Sequence, residues 1–432
     1  MKSYLEMTAA ERGAELAALQ EQYKAACAKG LRLDMSRGKP DATQLNLSMR
    51  MLEQNPYDLI YSRKGTDVRN YGELAGVDEA KELFAELLGL GMENIIMGGQ
   101  SSLCLMYDMF IKALVLGVYG GSKPWGQQGK LKFLCPAPGY DRHFAICEQF
   151  GVEMITIPMT PTGPDMALVK QYAESDPAVK GIWCVPKYSN PTGVTYSPET
   201  VEAFAALKPA ADDFRIFWDN AYYVHGFRKE DDYLENIFSA CKKYGSEDMV
   251  YEFMSTSKVT FSGAGVAVFA ASRHNVEFLL KQMSVQTIGY DKINQLRHVK
   301  FLKNVDGLRK HMRKQADYLR PKFDCALAAL ETGLKGTGIA SWSNPNGGYF
   351  ISFDGLPGTA KRCVKLCADA GVKFTNAGAT FPYGVDPEDR NIRIAPSYPS
   401  TEQLYQSMNV FCICQRIAAL EALAGGTEKK KG

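Results

Sequence analysis

Apolar and polar positions change rhythm three times along this chain. Residues 8–29 carry apolar side chains at helical spacing behind Thr8 and, three positions on, Glu11, a pair able to cap a helix reciprocally. From about Asn70 to Ala270 the pattern breaks into short, continuously apolar, β-rich runs separated by helical ones: "NIIM" (94–97), "KFLC" (132–135), "EMITI" (153–157), "GIWCV" (181–185), "RIFWD" (215–219), "VYEFM" (250–254) and "VAVFA" (266–270). Runs without alternation suit strands covered on both faces, and their alternation with helices predicts βαβ units in an α/β fold with a mostly parallel, seven-stranded sheet. A long helical region over about 291–334 follows. The strands "GYFISF" (348–353) and "NIRIA" (391–395), with helices around 359–370 and 401–424, then predict a smaller α+β domain. The expected division is an N-terminal helix and arm over 1–50 that joins the small domain, a large domain over 51–300 and a small one over 301–424. The polar tail 425–432, "GGTEKKKG", is expected to be disordered. No internal repeat is visible.

Composition narrows the function classes. A chain of 432 residues exceeds what one core normally serves, in line with two lobes. A net charge of +2, with 23% charged and 46% apolar residues, leaves no basic excess for a nucleic acid or an anionic membrane. The eleven cysteines form neither CxxC pairs nor zinc spacings, so they read as reduced thiols, with no metal site. The start, "MKSYLEMTAAERGAELAALQ", has charges where a leader needs an apolar run, and no stretch reaches the roughly 18 uninterrupted apolar residues of a spanning helix. A cytoplasmic protein is expected.

The unusual residues collect just past the strand-like runs, where open α/β sheets bind their ligands. "GGQSSLCLMYD" follows the first run: glycines and Ser101 and Ser102 open a helix whose N-terminus can cap itself or hold a phosphate. "PAPGYDRHF" presents Tyr140, either a core ring or a stacking platform. In "PKYSNPTG", Asn190 can close a turn or offer its amide to a ligand. Asp219 ends a buried strand and requires a cationic partner, from an Arg, a Lys or a protonated ring nitrogen, and Tyr222 stands three residues on. Lys258 stands alone among small hydroxyl residues in "STSKVTFSGAGVA".

In this order, "GGQSSLCLMYD", "YSNPTG", "WDNAYY" and "STSKVTFSGAGV" resemble the fold-type I pyridoxal-phosphate enzymes, specifically the class I aminotransferases and most closely the bacterial type Ic aspartate aminotransferases. The resemblance runs from Gly38 in "SRGKPD" to Arg393 in "IRIAPSY". It implies that Lys258 forms a Schiff base with pyridoxal 5′-phosphate and later carries a proton, a role that suits a lysine in a desolvated site. It also implies that Asp219 keeps the pyridine nitrogen protonated, that Tyr222 and Asn190 bond the phenolic oxygen, and that Tyr140 stacks on the ring. Ser101, Ser102, Ser255 and Ser257 become phosphate contacts, Arg393 the grip on a substrate α-carboxylate with Gly38 and Asn190 beside it, and Tyr71 in "RNYGELAG" a residue reaching the neighbouring subunit of a homodimer. The implied substrates are aspartate or glutamate and a 2-oxo acid such as 2-oxoglutarate.

There is one departure: the arginine usually found about eight residues after the lysine is missing, and Gly263, Ala264, Gly265 and Val266 stand there. The cation for a substrate side-chain carboxylate is also unassigned, with Arg37, Lys39 and Lys292 as candidates. Three other readings compete. A dinucleotide-binding oxidoreductase fails at Val268, where a third glycine is required. A ligand-sensing regulator lacks room for a basic DNA-binding domain in the first fifty residues, and a lyase or an aminotransferase of aromatic, kynurenine or alanine specificity shares the fold.

Overall fold

The computed structural model describes residues 2–428. Its strands are β1 (Leu33–Asp34), β2 (Ile95–Met97), β3 (Lys132–Ala137), β4 (Glu153–Thr160), β5 (Gly163–Pro164), β6 (Val179–Cys184), β7 (Arg215–Asp219), β8 (Val250–Ser255), β9 (Ala267–Ala271), β10 (Ser341–Trp342), β11 (Ile351–Asp354), β12 (Val372–Lys373) and β13 (Asn391–Ile394). The main sheet runs β2-β9-β8-β7-β6-β3-β4-β5. Strands β8, β7, β6, β3 and β4 are parallel, and β9 is antiparallel to both its neighbours. Seven strands answer to the seven apolar runs. The eighth, β5, is a two-residue return that pairs Met159 with Pro164 at the edge, too short to show as a pattern.

The continuous apolar runs have the expected cause, because both faces are covered. One face places Leu134, Ile182, Ile216, Trp218 and Met254 in a core with Phe84 and Phe204. The other stacks Phe133, Trp183, Phe217 and Phe253 with Phe110. A third core holds Ile351, Phe353 and Ile394 of the three-stranded sheet β10-β11-β13 together with Leu19, Phe323 and Phe411. Thr8 and Glu11 form the capping box of helix Ala9–Cys27. The 30-residue helix Val305–Leu334 touches two cores, with Leu308 in the first and Phe323 in the third.

The last helix, Thr401–Glu428, runs past the expected end, so 425–428 is helical, and the remainder of the tail lies outside the described residues. This helix is long and apolar enough to cross a bilayer by length and composition. Leu404, Met408, Phe411 and Ile417 are instead buried in the third core. No other helix among the described residues meets that test.

One buried charge in the sheet has a measurable consequence. Glu252 on β8 lies inside the sheet with one hydrogen bond, from Asn220 Nδ2 at 2.6 Å, and burial pushes its carboxyl up to about 7 from 4.5. The folded state then keeps a proton that the unfolded chain releases above about pH 4.5, so stability falls as pH rises to about 7. Glu252→Gln is expected to flatten this slope and to raise stability by about 2–3 kcal/mol at pH 8. Denaturant titrations at pH 5 and pH 8 check it, and a slope equal to that of the parent excludes Glu252 as its source.

Candidate functional site

The chain leaves β3 for β4 on one side and later lays β6 against β3 on the other, which opens a crevice at the carboxyl ends of these strands. Four strand ends feed it. The loop after β3 carries Tyr140 to the head of helix Asp141–Gln149, and the segment after β6 carries Asn190. Asp219 closes β7 with Tyr222 in the following turn, and Ser255 closes β8 just before Lys258.

Asp219 is buried, and its two oxygens differ. Oδ2 lies 3.1 Å from His143 Nε2, while Oδ1 is buried without a partner among the described residues. A buried carboxylate oxygen with nothing to accept from is costly, and it provides what a protonated ring nitrogen needs. The residues present therefore fit pyridoxal phosphate. His143 is held against the Trp183 indole, with ring centroids 4.5 Å apart and planes 11° apart, and edge-on to Tyr140.

Lys258 Nζ lies 5.0 Å from the Tyr222 ring centroid and 5.7 Å from that of Tyr349. Burial lowers its proton affinity; the Asp219 carboxylate opposes this and the Arg393 guanidinium adds to it. The same burial pushes the Tyr140 and Tyr222 phenols up, so both remain hydrogen-bond donors at neutral pH.

Arg393 reaches the crevice from β13. Its Nη1 donates to Asp141 Oδ1 at 2.9 Å and to Asn190 Oδ1 at 3.3 Å, while Nη2 has only a 3.4 Å bond to Thr375 Oγ1 and buried Nε has none. One edge of the guanidinium is thus spent, and the Nε/Nη2 edge is left for a two-pronged carboxylate contact. The group lies 4.9 Å above the Phe350 ring, and Gly38 touches that ring so closely that an added Cβ would come 2.3 Å from Cζ.

The serines form a separate cup. Ser101 caps helix Ser102–Val115 by accepting from Cys104 N; Ser255 Oγ donates to Ser257 Oγ at 3.1 Å, and Ser257 Oγ to the Gln100 carbonyl at 3.2 Å. Gly265 permits this closeness, since a Cβ there would meet that carbonyl at 2.8 Å. Val266 is buried just ahead of β9, so no cation comes from the position eight residues past Lys258.

Tyr71 is not gathered with the rest: it is 79% exposed on the surface. Of the candidates for a second substrate cation, Lys292 is buried and donates to the Gly72 carbonyl, Lys39 lies over the Tyr398 ring, and the exposed Arg37 side chain has no hydrogen bond or ion pair among the described residues. The sequence reading missed His143, Asp141, Thr375, Tyr349 and Phe350. For His143 a signal existed, because Asp219 needs a cation and His143 stands one helical turn past Tyr140.

Residues 7–427 match the family model described as aspartate amino-transferase. An aspartate aminotransferase from Corynebacterium glutamicum is 41% identical over 396 residues, covering 92% of this chain and 91% of the relative. The crystal structure of an aspartate transaminase from Corynebacterium glutamicum superposes with a TM-score of 0.95 at 39% identity, over 97% of this chain and 99% of that one. The α-aminoadipate aminotransferase LysN of Thermus thermophilus, complexed with N-(5′-phosphopyridoxyl)-L-leucine, shares the fold at 18% identity, with a TM-score of 0.71 over 93% of this chain and 95% of that one.

Proposed function

Since the chain belongs to the aspartate amino-transferase family and is an aminotransferase, we propose that it moves an amino group between aspartate or glutamate and a 2-oxo acid such as 2-oxoglutarate, with pyridoxal 5′-phosphate bound in the crevice. The unpartnered Asp219 Oδ1, in the same crevice as Lys258 and Arg393, carries this reading. Bound there, pyridoxal phosphate supplies an aldehyde carbon for the amine and a protonated ring that withdraws electrons from the substrate α-carbon.

The chain's own residues do the rest. Arg393 grips the α-carboxylate through its Nε/Nη2 edge, with Asn190 and the Gly38–Phe350 contact fixing its position. Lys258, its proton affinity lowered by burial, would be the base that takes the proton from the substrate α-carbon and the acid that delivers it to the carbon that carried the aldehyde. Asp219 holds the proton on the ring nitrogen, steadied by His143. Tyr222 and Asn190 donate to the phenolic oxygen and Tyr140 covers the ring. Ser101, Ser102, Ser255 and Ser257 take the phosphate with the N-terminus of helix Ser102–Val115. Tyr71, exposed here, completes the site of a second copy in a homodimer. Exposed Val285 and Ile288, which lie in the segment that ends beside the Tyr71–Gly72 loop, support that arrangement.

Arg37, unpaired beside Gly38, is our candidate for the substrate's second carboxylate. A panel of donors with 2-oxoglutarate is expected to rank aspartate above alanine, phenylalanine and kynurenine in kcat/KM. Arg37→Ala is expected to lower the aspartate value about tenfold, worth ~1.4 kcal/mol, while leaving alanine unchanged. A neutral donor that beats aspartate tenfold, about 1.4 kcal/mol of transition-state preference, removes the dicarboxylate assignment and keeps the aminotransferase.

A further inference from the structure

Behind the catalytic crevice lies a groove of about 690 Å³ between the loop 223–234 and helix Val305–Leu334. The two share walls. Tyr223 lines the groove while its neighbour Tyr222 lies by Lys258, and Lys187 lines it three residues before Asn190.

The charges around the groove do not balance. Six cations line it against three carboxylates, and all three carboxylates are committed. Asp231 accepts from buried Lys187 at 2.9 Å and from the Tyr188 hydroxyl; Asp232 accepts from Thr195 at 2.9 Å and Asn346 at 2.8 Å; Asp317 pairs with Arg320 at 3.0 Å. The side chains of Lys229, Arg309 and Arg313 have no hydrogen bond or ion pair among the described residues. Arg309 and Arg313 stand one turn apart on the same helix stripe, a like-charge pair that weakens an isolated helix. Lys310 and Lys314 repeat the pair on the next stripe, outside the groove. Two guanidiniums and an ammonium thus line a concave space with Tyr223 and Met312, where Asp232, held by the neutral donors Thr195 and Asn346, is the one lining carboxylate without a cation and leaves the positive charge in excess.

We propose that this groove binds a small anion of two or more charges, phosphate-based or polycarboxylate, held by Arg309, Arg313 and Lys229. Guanidinium forks suit either chemistry through paired hydrogen bonds. The test is calorimetric titration of the cofactor-loaded protein, whose own phosphate cup is filled, with pyrophosphate and separately with citrate, which tells the two anion sources apart. Saturable binding of one of them is expected. It should weaken about tenfold or more in Arg309→Gln/Arg313→Gln and in the loop variant Lys229→Gln, which leaves the helix untouched. In Lys310→Gln/Lys314→Gln, which removes equal charge from the adjacent stripe, it should stay within about twofold, as screening alone would allow. Three results overturn the site: no saturable binding to the parent, equal weakening in both double variants, or binding lost only when Arg393 is replaced.

Discussion

Lys258→Ala is expected to give a folded protein that still binds 2-oxo acids but transaminates roughly 10⁴-fold more slowly or worse, because one side chain supplies both the covalent amine and the proton carrier. The fold has little reason to fail. Lys258 makes no side-chain ion pair or hydrogen bond among the described residues, and its ammonium stands over the Tyr222 and Tyr349 rings, 5.0 and 5.7 Å from their centroids. Its removal also relieves the burial that already disfavours its charge. Arg393 keeps its bonds to Asp141 and Asn190, so carboxylate binding should persist in the variant. Single-turnover kinetics measure the loss, and borohydride reduction of the parent followed by peptide mapping should place the pyridoxyl group on Lys258. A label on another lysine, or turnover within tenfold of the parent, refutes the assignment.

Asp219→Ala is expected to cost roughly 10³-fold in turnover and to loosen cofactor retention, in line with deleting one preorganised charge from a dry site. The geometry separates this from a structural effect. Only Oδ2 is engaged within the chain, by His143, while Oδ1 is held in reserve. Thermal stability without cofactor should therefore change little, because the His143 imidazole keeps its stacking on Trp183. With cofactor, the stabilisation gained by loading should shrink. Turnover within a fewfold of the parent would make Asp219 a structural carboxylate after all.

What could be read from the sequence follows from how local each signal is. Strands β3, β6, β7 and β8 are buried on both faces, so their residues had to be apolar without alternation and were visible as runs. The β1–β12 pair is two residues long and its position comes from a distant partner, Val372 for Leu33, while β5 is a two-residue return from β4; neither is long enough for a local pattern to encode it. The crevice divides in the same way. Asp219 and Lys258 were conspicuous because a charge beside a buried strand needs a reason. Asp141 and Thr375 are ordinary until folding brings them to Arg393 from 252 and 18 residues away along the chain. Within the described part of the tail, the glycines at 425–426 suggest disorder by composition, yet the helix packed by Phe411 and Ile417 extends to Glu428.

The edge position of β2 also constrains how the protein is made. Ile95 and Met97 pair with Ala270 and Val268 of β9, and the loop beyond them is pinned when Gly98 N donates to the Ala267 carbonyl and Ala267 N to that of Gly99. At ribosomal speeds of about 5–20 residues per second, the first half of this loop waits on the order of ten seconds or longer for the second half to emerge. Until then Ser101 and Ser102 follow a strand that lacks its partner β9, and such long-range closure is slow. A nascent chain therefore lacks the closed serine loop until β9 leaves the ribosome, and a messenger truncated ahead of residue 267 is expected to yield an unpaired β2 edge that invites aggregation.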